Sequence, residues 1–391
     1  MKDLVVYVPP DSPELLVPYL TTIEAPRYAV KKISGALTNV IYKLTIIDTN
    51  ETYLIRIYGT KDDSLVDRSV ELDNIRRIPD NLNVIKILYF FQNGRIELFL
   101  DDFRAILSEE MRRNDYFELI AQQFRDLHSS VQLYESEIKG LGFVWTKILS
   151  WIEIIDSMID CNKTNLQIVN SSLLCKDWNS FKAVVLDYKD WLLEHDSESF
   201  ENFVFCHNDT QQGNIMINPK RKDVVFIDFE YGGANALSFD ISNFFTECMH
   251  NYNLIESYDC KSEFYPTKDQ IMLFLKKYLH EDVKEKNIHK LYNSVIRWRA
   301  TAQLFWSIWA VIQSDKLSKE LEMEESDDDA ITLSSTSETL NYNDDYFNYL
   351  SFCKSKISYF WGDLIKFNIV NESACQLPQI RFLGTELFET N

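Results

Sequence analysis

The fold is decided by two stretches, Phe205-Cys206-His207-Asn208-Asp209-Thr210-Gln211-Gln212-Gly213-Asn214 and Val224-Val225-Phe226-Ile227-Asp228-Phe229-Glu230. Short apolar runs precede Asp209, follow Asn214 and precede Asp228, and polar turns bound them, which predicts short buried strands. Strands of this kind would hold three oxygen-bearing side chains within a few ångströms of one another, as a hard cation requires. The pattern therefore predicts a metal-dependent catalytic centre.

The spacing of these side chains indicates phosphoryl transfer. In kinase catalytic loops an Asp orients the substrate hydroxyl and accepts its proton, and an Asn five residues later binds magnesium. Asp209 and Asn214 have this spacing, and Asp228 fits the second metal ligand. An accidental His-x-Asp in a surface turn would also give part of this pattern, but the loop, the Asn and a strand-borne Asp seldom occur together by chance.

The composition indicates a large globular protein. The chain has 391 residues, is 46% apolar and contains 25 Phe and 20 Tyr, which allows an extensive core and two lobes. Its net charge of −20 argues against a nucleic-acid partner, because phosphate binding needs clustered Lys and Arg. The charge is compatible with a cationic substrate and equally with a solvated acidic surface.

The cysteines and apolar runs predict a soluble, cytoplasmic protein. The seven cysteines are odd in number and contain no Cys-x-x-Cys pair, which argues against a disulfide framework or structural zinc. Residues 1–11 lack the apolar stretch of a signal peptide, and the uncharged run near Leu304 to Ile312 is too short to cross a bilayer. We therefore predict no membrane insertion.

Residues 30–100 predict a five-stranded antiparallel sheet. Residues 30–33, 40–47, 52–58, 84–91 and 96–100 have strand character and are separated by turns. Five prolines in residues 1–30 interrupt any helix there, so this segment is a lead-in. We predict an N-terminal sheet lobe over residues 1–100 and a mainly helical C-terminal lobe over residues 101–391, which is an α+β fold.

The helical lobe contains two features that need explanation. Asp240, Asn243 and Glu247 form a polar stripe on an otherwise apolar helix and therefore need partners. His128 ends another apolar helix, where a capping or core role is the usual one. Residues 315–341 contain seven acids between Glu320 and Asp329, followed by a Ser/Thr-rich run. This composition predicts a disordered insertion.

The first turn of the sheet is a candidate phosphate site. In a nucleotide kinase this turn would cover the phosphates, with Gly35 for close approach and Thr38 or Asn39 as donors. Arg56 would project from the third strand, away from the face of its two Ile neighbours. An ordinary hairpin with a solvated Arg has the same pattern, so both interpretations stay open.

Two further features of this lobe match a kinase. Glu71 stands on a predicted helix where kinases carry the acid that pairs with the basic residue of the third strand, although an exposed helical Glu would have the same pattern. The exit from the last strand would be the hinge to the second lobe. Backbone groups from Glu97 to Leu100 are therefore the candidates for contacts with adenine.

Together these motifs resemble the choline/ethanolamine kinase family. The resemblance rests on His207-Asn208-Asp209 to Asn214, on Ile227-Asp228-Phe229-Glu230-Tyr231 and on the helix from Phe239 to Glu247, and it covers roughly residues 30–312. It implies a protein-kinase-like bilobal fold that uses ATP and Mg²⁺. It also implies transfer of the γ-phosphoryl group to the hydroxyl of an amino alcohol, the first step of the CDP-choline or CDP-ethanolamine route to phospholipids, and a homodimer.

The resemblance also implies roles for single residues. Asp209 matches the catalytic base, Asn214 and Asp228 match the metal ligands, and Arg56 matches a phosphate-contacting Arg. The family commonly has Glu where Gln212 stands. The walls of the amine pocket match Tyr231, Glu247, Tyr252, Trp306 and Trp309, with Tyr346 and Tyr349 as candidates for the last aromatic residues.

A quaternary ammonium has no N–H group, so aromatic faces and a nearby carboxylate hold it. Tyr252, Trp306 and Trp309 therefore favour choline, although core packing is the usual explanation for such a Trp pair. Ethanolamine, with three N–H donors, would favour carboxylates and carbonyls, and many family members act on both. The loop motif also fits an aminoglycoside-phosphotransferase-type kinase, whose acidic walls would not need the Trp pair, and a pseudokinase that binds partners through the acidic insertion.

Overall fold

The computed structural model describes residues 2–35, 39–58, 68–79, 81–161, 164–254, 257–280, 282–327, 347–384 and 386–389. The chain divides into two compact units. The first contains Met1–Ala105 and Gly213–Tyr231, and the second contains Ile106–Gln212 and Gly232–Asn391. The predicted single boundary after residue 100 misses the return of residues 213–231 to the first unit.

The strands and helices are numbered in chain order. The strands are β1 Lys2–Leu4, β2 Tyr28–Gly35, β3 Asn39–Ile46, β4 Glu51–Tyr58, β5 Ile87–Phe91, β6 Gly94–Leu98, β7 Arg104–Ala105, β8 Val204–Cys206, β9 Ile215–Asn218, β10 Asp223–Phe226 and β11 Gly233–Asn235. The helices are α1 Val17–Leu20, α2 Arg68–Arg77, α3 Asn114–Ser130, α4 Gly142–Asp160, α5 Leu166–Ser172, α6 Trp178–His195, α7 Ser197–Glu201, α8 Leu237–Glu247, α9 Lys268–Leu279, α10 Glu285–Asp327 and α11 Tyr349–Lys366.

The first unit is built on a sheet with strand order β1-β5-β6-β4-β3-β2. The five predicted strands are confirmed as β2 to β6, and each neighbouring pair among them is antiparallel. The sheet has a sixth strand, β1, which runs parallel to β5. It was not predicted because a three-residue strand before a proline-rich segment has too little alternation to be recognised.

The lead-in and the sheet share one apolar core. Ile55 and Ile57 of β4 are fully buried and belong to the same cluster as Leu16 and Val17 of the lead-in. Side chains alternate between the two faces of a strand, so Arg56 projects from the opposite face, as predicted. A second, three-stranded sheet of order β10-β9-β7 completes this unit.

The second unit is mainly helical, and its helix α8 is almost completely buried. Every residue from Ser238 to Glu247 is buried, and α10 packs against α8, α11, α9 and α4. A helix buried on all sides has no solvent to satisfy its polar groups. The polar residues of α8 must therefore find partners inside the protein.

The predicted disordered insertion over residues 315–341 needs correction at its start. Helix α10 continues to Asp327, so residues 315–327 are helical. The reason is that Lys, Leu, Glu and Met, which dominate this stretch, are strong helix formers despite the high charge. Residues 328–341, the rest of the predicted insertion, lie outside the described residues.

All seven cysteines lie within the described ranges and are free thiols, of which Cys161 is exposed and the other six are buried. Across the same ranges, none of the helices has the length and apolar character needed to span a membrane.

Candidate active site

The two predicted metal ligands lie at one end of the β9–β10 hairpin. The strands pair in antiparallel register, with Ile215 opposite Phe226, and the Ile227 N–H continues the ladder by donating to the carbonyl oxygen of Asn214 at 3.0 Å. Asn214 therefore immediately precedes β9, while Asp228 follows two residues after β10. The hairpin keeps the two backbones side by side, and the side chains offer an amide and a carboxylate oxygen.

Asp228 is paired with Arg56. Arg56 Nη1 donates to Asp228 Oδ2 at 3.4 Å. Burial disfavours the charged guanidinium, but the carboxylates of Asp228, Glu97 and Glu71 together outweigh this effect and the pKa of Arg56 is raised. Asp228 has a φ of 66°, a left-handed conformation that costs a non-glycine residue about 1–3 kcal/mol and is most common at functional sites.

Strand β6 and helix α2 of the same unit contribute a buried cluster of charges. Arg95 donates to both Glu71 and Glu97, and all three residues are buried. Glu71 therefore pairs with Arg95 of β6 rather than with Arg56 of the third strand, and it is not the exposed helical Glu of the alternative interpretation. Arg95 is the cross-strand partner of Arg56, and like charges opposite each other are destabilising. Nearby acids offset this repulsion, because Glu71 and Glu97 bond to Arg95 while Asp228 bonds to Arg56.

Two backbone donors of the predicted adenine hinge already have partners. The Leu98 N–H donates to the carbonyl oxygen of Lys86 at 2.8 Å, and the Phe99 N–H donates to that of Thr52 at 3.2 Å. Contacts of Glu97 and Leu100 with adenine stay a prediction.

The predicted phosphate turn is only partly described. β2 ends at Gly35, which pairs with Val40, and β3 begins at Asn39, which pairs with Tyr58. Thr38 lies outside the described residues. The role of these residues in covering the phosphates stays a prediction.

In the second unit, Asp209 follows β8 in a loop that Asp240 holds. The N–H groups of His207 and Asn208 donate to the two carboxylate oxygens of Asp240 at 2.7 and 2.8 Å. Asn208 has a φ of 64°, and the Asp209 N–H donates to His207 Nδ1 at 3.2 Å. Because Asp240 is fully buried, the backbone immediately before Asp209 is fixed by bonds to a charged acceptor.

His128 supports this arrangement from α3. Its Nε2 lies 3.1 Å from Asp240 Oδ2, and its Nδ1 lies 2.9 Å from the Tyr278 hydroxyl. Asp240, His128 and Cys206 are also close enough to share a metal ion. However, Cys206 Sγ donates to the carbonyl oxygens of Asn235 and Ala236 at 3.5 and 3.7 Å, and both carboxylate oxygens of Asp240 already accept backbone N–H bonds. We interpret the three residues as support for the loop.

Asn243 and Glu247, the other two residues of the α8 stripe, form hydrogen bonds with a second set of side chains. Trp306 Nε1 donates to Asn243 Oδ1 at 2.8 Å. Glu247 accepts two bonds, from Lys356 Nζ to Oε1 at 2.6 Å and from the Tyr252 hydroxyl to Oε2 at 2.8 Å. The stripe at i, i+3 and i+7 therefore connects the catalytic loop with the residues predicted for the amine pocket.

Aromatic side chains surround this part of the second unit. The rings of Trp306 and Trp309 are 5.5 Å apart at 83°, and those of Trp309 and Tyr349 are 5.6 Å apart at 67°. Further contacts join the neighbouring rings. We define the aromatic cluster as Tyr252, Trp306, Trp309, Phe347, Tyr349 and Phe352.

Asp209 and the aromatic cluster are linked electrostatically. Burial raises the pKa of Tyr252 well above its usual value, the carboxylate of Glu247 raises it further, and the charge of Asp209 also contributes. The predicted catalytic base is therefore near enough to the cluster for its charge to act on one of the rings.

Four residues singled out in the sequence differ in what the structure shows of them. Tyr346 lies outside the described residues, whereas Tyr349 belongs to the aromatic cluster. Tyr231 is buried at the end of the first unit, and its role in an amine pocket stays a prediction. Gln212 is buried, and its Oε1 has no hydrogen-bond partner among the described residues.

Sequence reasoning missed Lys356 and His250. Lys356 follows Phe352 by four residues and precedes Phe360 by four, so it stands on the apolar stripe of α11, and this position signals a buried charge. His250 had no such signal, because it follows α8 in an irregular segment. Its ring stacks on that of Tyr252 at 5.2 Å and 7°.

His250 gives a pH-dependent prediction. Burial lowers its pKa from 6.5 to about 3, and a neutral ring fits its neighbours, Cys260 Sγ at Nε2 and the Ser257 carbonyl at Nδ1. Below pH 6.5 the unfolded chain binds a proton that the folded chain does not, so this contribution to stability is complete above pH 6.5 and is lost as the pH falls. We expect it to lower the free energy of unfolding by about 2 kcal/mol between pH 7.5 and pH 5.

Urea denaturation of the wild type and of His250→Gln at both pH values measures this contribution. The variant lacks the titrating group, so its loss of stability should be smaller by that amount. Equal losses in the two proteins would show that folding does not lower the pKa of His250 and that its ring is protonated in the folded protein at pH 5.

Comparisons with known proteins agree with this arrangement. A family model described as choline/ethanolamine kinase matches residues 30–361. The chain is 34% identical over 396 residues to the ethanolamine kinase of Saccharomyces cerevisiae, covering 91% of this chain and 74% of that protein. It is 31% identical over 432 residues to the choline kinase of the same yeast, covering 90% and 74%. A solved choline kinase from Cryptosporidium parvum shares the fold with a TM-score of 0.66, at 21% identity over 89% of this chain and 93% of the other.

Proposed function

The chain belongs to the choline/ethanolamine kinase family, and we propose that it transfers the γ-phosphoryl group of ATP to the hydroxyl of choline. The product would be phosphocholine, the first intermediate of the CDP-choline route to phosphatidylcholine. The observation that carries this proposal is the aromatic cluster, which lies beside Glu247 and within electrostatic reach of Asp209. Such a cluster suits a trimethylammonium group, which has no N–H to donate.

Asp209 has the role of orienting the choline hydroxyl and accepting its proton. A general base must hold its carboxylate within hydrogen-bond distance of the proton that it removes. The bonds from His207 and Asn208 to Asp240 restrict the backbone next to Asp209, which supports this role. The hydroxyl would then be fixed while the phosphoryl group arrives.

The first unit supplies the groups for the nucleotide and the metal. Asn214 and Asp228 offer the amide and carboxylate oxygens that Mg²⁺ prefers, and their neighbouring backbones fit a shared ion. The ion would neutralise charge on the phosphates. Arg56 has the role of a phosphate contact, and the Leu100 N–H that of a donor to adenine.

Ethanolamine is the second candidate for the acceptor. The relative with 34% identity is named an ethanolamine kinase, and Glu247 is a carboxylate of the kind that a primary ammonium would need. Choline needs aromatic ring faces, whereas ethanolamine needs hydrogen-bond acceptors. Variants of the aromatic cluster therefore distinguish the two substrates. The homodimer and the cytoplasmic location stay predictions from the sequence.

The Trp pair provides the test of this proposal. Trp309→Ala and Trp306→Ala should each raise the KM for choline about tenfold, because a desolvated cation–π contact contributes up to about 2 kcal/mol, while the KM for ATP should change less than about twofold. Trp191→Ala, which removes a half-buried Trp outside the cluster, is the matched control. Equal increases in both KM values would assign the Trp pair to core packing and contradict the proposal.

A further inference from the structure

We propose that Lys356 sets the head-group preference of this kinase by occupying the carboxylate of Glu247, so that the pocket favours a quaternary over a primary ammonium. This inference rests on the proposed function, since it concerns how the same pocket chooses between two amino alcohols.

Lys356 is an internal cation at the position where a substrate cation is expected. Its side chain is fully buried, its Nζ donates to Glu247 Oε1 at 2.6 Å, and it lies 5.1 Å from the centre of the Phe352 ring. Within the described part of the chain, Glu247 is the one carboxylate in ion-pair distance of this ammonium. Lys356 therefore has the same partners, a carboxylate and an aromatic ring, that the pocket would offer to an ammonium ligand.

The carboxylate is engaged at both of its oxygens. Tyr252 donates to Oε2 at 2.8 Å while Lys356 donates to Oε1, and Glu247 is itself only 3% exposed. Burial tends to raise the pKa of Glu247, but Lys356, His250 and Tyr252 together outweigh this effect, with Lys356 first among them, and the pKa is lowered. Glu247 is thus a paired anion, and its charge is neutralised before any ligand binds.

This pairing affects the two amino alcohols differently. A primary ammonium needs acceptors for its three N–H groups, and at Glu247 it would share a carboxylate with Lys356, whose like charge repels it. A trimethylammonium group presents methyl surface and is held by ring faces, which the aromatic cluster provides without Glu247. The Lys356–Glu247 pair therefore penalises ethanolamine more than choline.

Core stability does not account for Lys356. A buried ion pair is often no more stabilising than apolar side chains of similar volume, and its neighbours on the same stripe, Phe352 and Phe360, are apolar. A charge at this position is therefore better explained by its effect on the pocket than by packing.

The test compares kcat/KM for choline and ethanolamine in the wild type, Lys356→Met and Lys354→Met. Lys354 is exposed on the same helix, so its variant should keep the wild-type ratio. In Lys356→Met the freed carboxylate accepts N–H bonds, and the choline-to-ethanolamine ratio should fall about tenfold, equivalent to about 1.4 kcal/mol. If both amino alcohols improve or decline by the same factor, Lys356 does not select between them and the inference is wrong.

Lys356→Met leaves a buried carboxylate unpaired and could prevent folding, so a second variant keeps the inference testable. The double variant Glu247→Gln with Lys356→Met removes both charges. If Lys356 already prevents Glu247 from accepting hydrogen bonds from the substrate ammonium, the double variant should keep the choline-to-ethanolamine ratio of kcat/KM within about threefold of the wild type. A rise above tenfold would mean that wild-type Glu247 binds ethanolamine directly, which overturns the inference.

The wild-type assay separates this inference from the proposed function. If the wild type phosphorylates neither amino alcohol, the proposed function fails. If it phosphorylates at least one of them and the Lys356→Met ratio does not change, the proposed function stands and the role of Lys356 is refuted.

Discussion

Asp209→Asn should lower kcat for choline phosphorylation by about 10²–10⁴-fold, the usual contribution of a positioned general base. An amide has nearly the same shape as the carboxylate but does not accept the hydroxyl proton. The backbone of the loop should stay in place, because the bonds to Asp240 come from His207 and Asn208 rather than from the side chain of Asp209. The KM for ATP should therefore change less than about threefold.

Steady-state kinetics with a direct measurement of ATP binding checks this expectation. Glu198→Gln, the same chemical change at an exposed carboxylate of the same unit, is the matched control and should have wild-type rates. A kcat for Asp209→Asn within tenfold of the wild type would contradict the assignment of Asp209 as the base.

A second large loss of activity is expected for substitution of Asp240, although no contact of Asp240 with the reacting groups is proposed. Asp240→Asn replaces an acceptor oxygen by an amide N–H, which faces the donors from His207, Asn208 and His128. The loop should shift, and a displacement of about 1 Å of a catalytic group costs about 10²-fold in rate. We expect kcat to fall at least 100-fold, with a smaller change in the KM for choline.

The readout must separate a displaced loop from general unfolding. Ser242→Ala is the matched control, because this buried hydroxyl donates within α8 to the Phe239 carbonyl at 2.8 Å and should keep kcat within about threefold. Thermal unfolding of both variants shows whether α8 stays folded. If folded Asp240→Asn has a wild-type kcat, the carboxylate does not position Asp209.

The sequence allowed the hairpin between Asn214 and Asp228 to be predicted because its signals are local. The order of Asp209, Asn214 and Asp228 follows from the spacing of short strands and turns, and the hairpin that joins Asn214 to Asp228 is encoded within about fifteen residues. The α8 stripe was also visible, since polar residues at helical spacing on an apolar helix must have partners.

The partners themselves were not predictable from the sequence. Glu71 was expected to pair with Arg56, but the register of β4 and β6 brings Arg95 beside Arg56 and gives Glu71 to Arg95. Lys356 is more than a hundred residues from Glu247, and the packing of α10 between α8 and α11 brings them together. These pairings depend on tertiary packing, which neither the spacing nor the type of the residues specifies.

Phosphoryl transfer to choline can be followed directly by ³¹P NMR of the wild-type reaction with ATP, Mg²⁺ and choline. We expect a phosphomonoester signal from phosphocholine that grows in equal amount with ADP and is absent when choline is left out or when Asp209→Asn replaces the wild type. ADP with inorganic phosphate and no phosphorylated amino alcohol, from choline or from ethanolamine, would contradict this expectation.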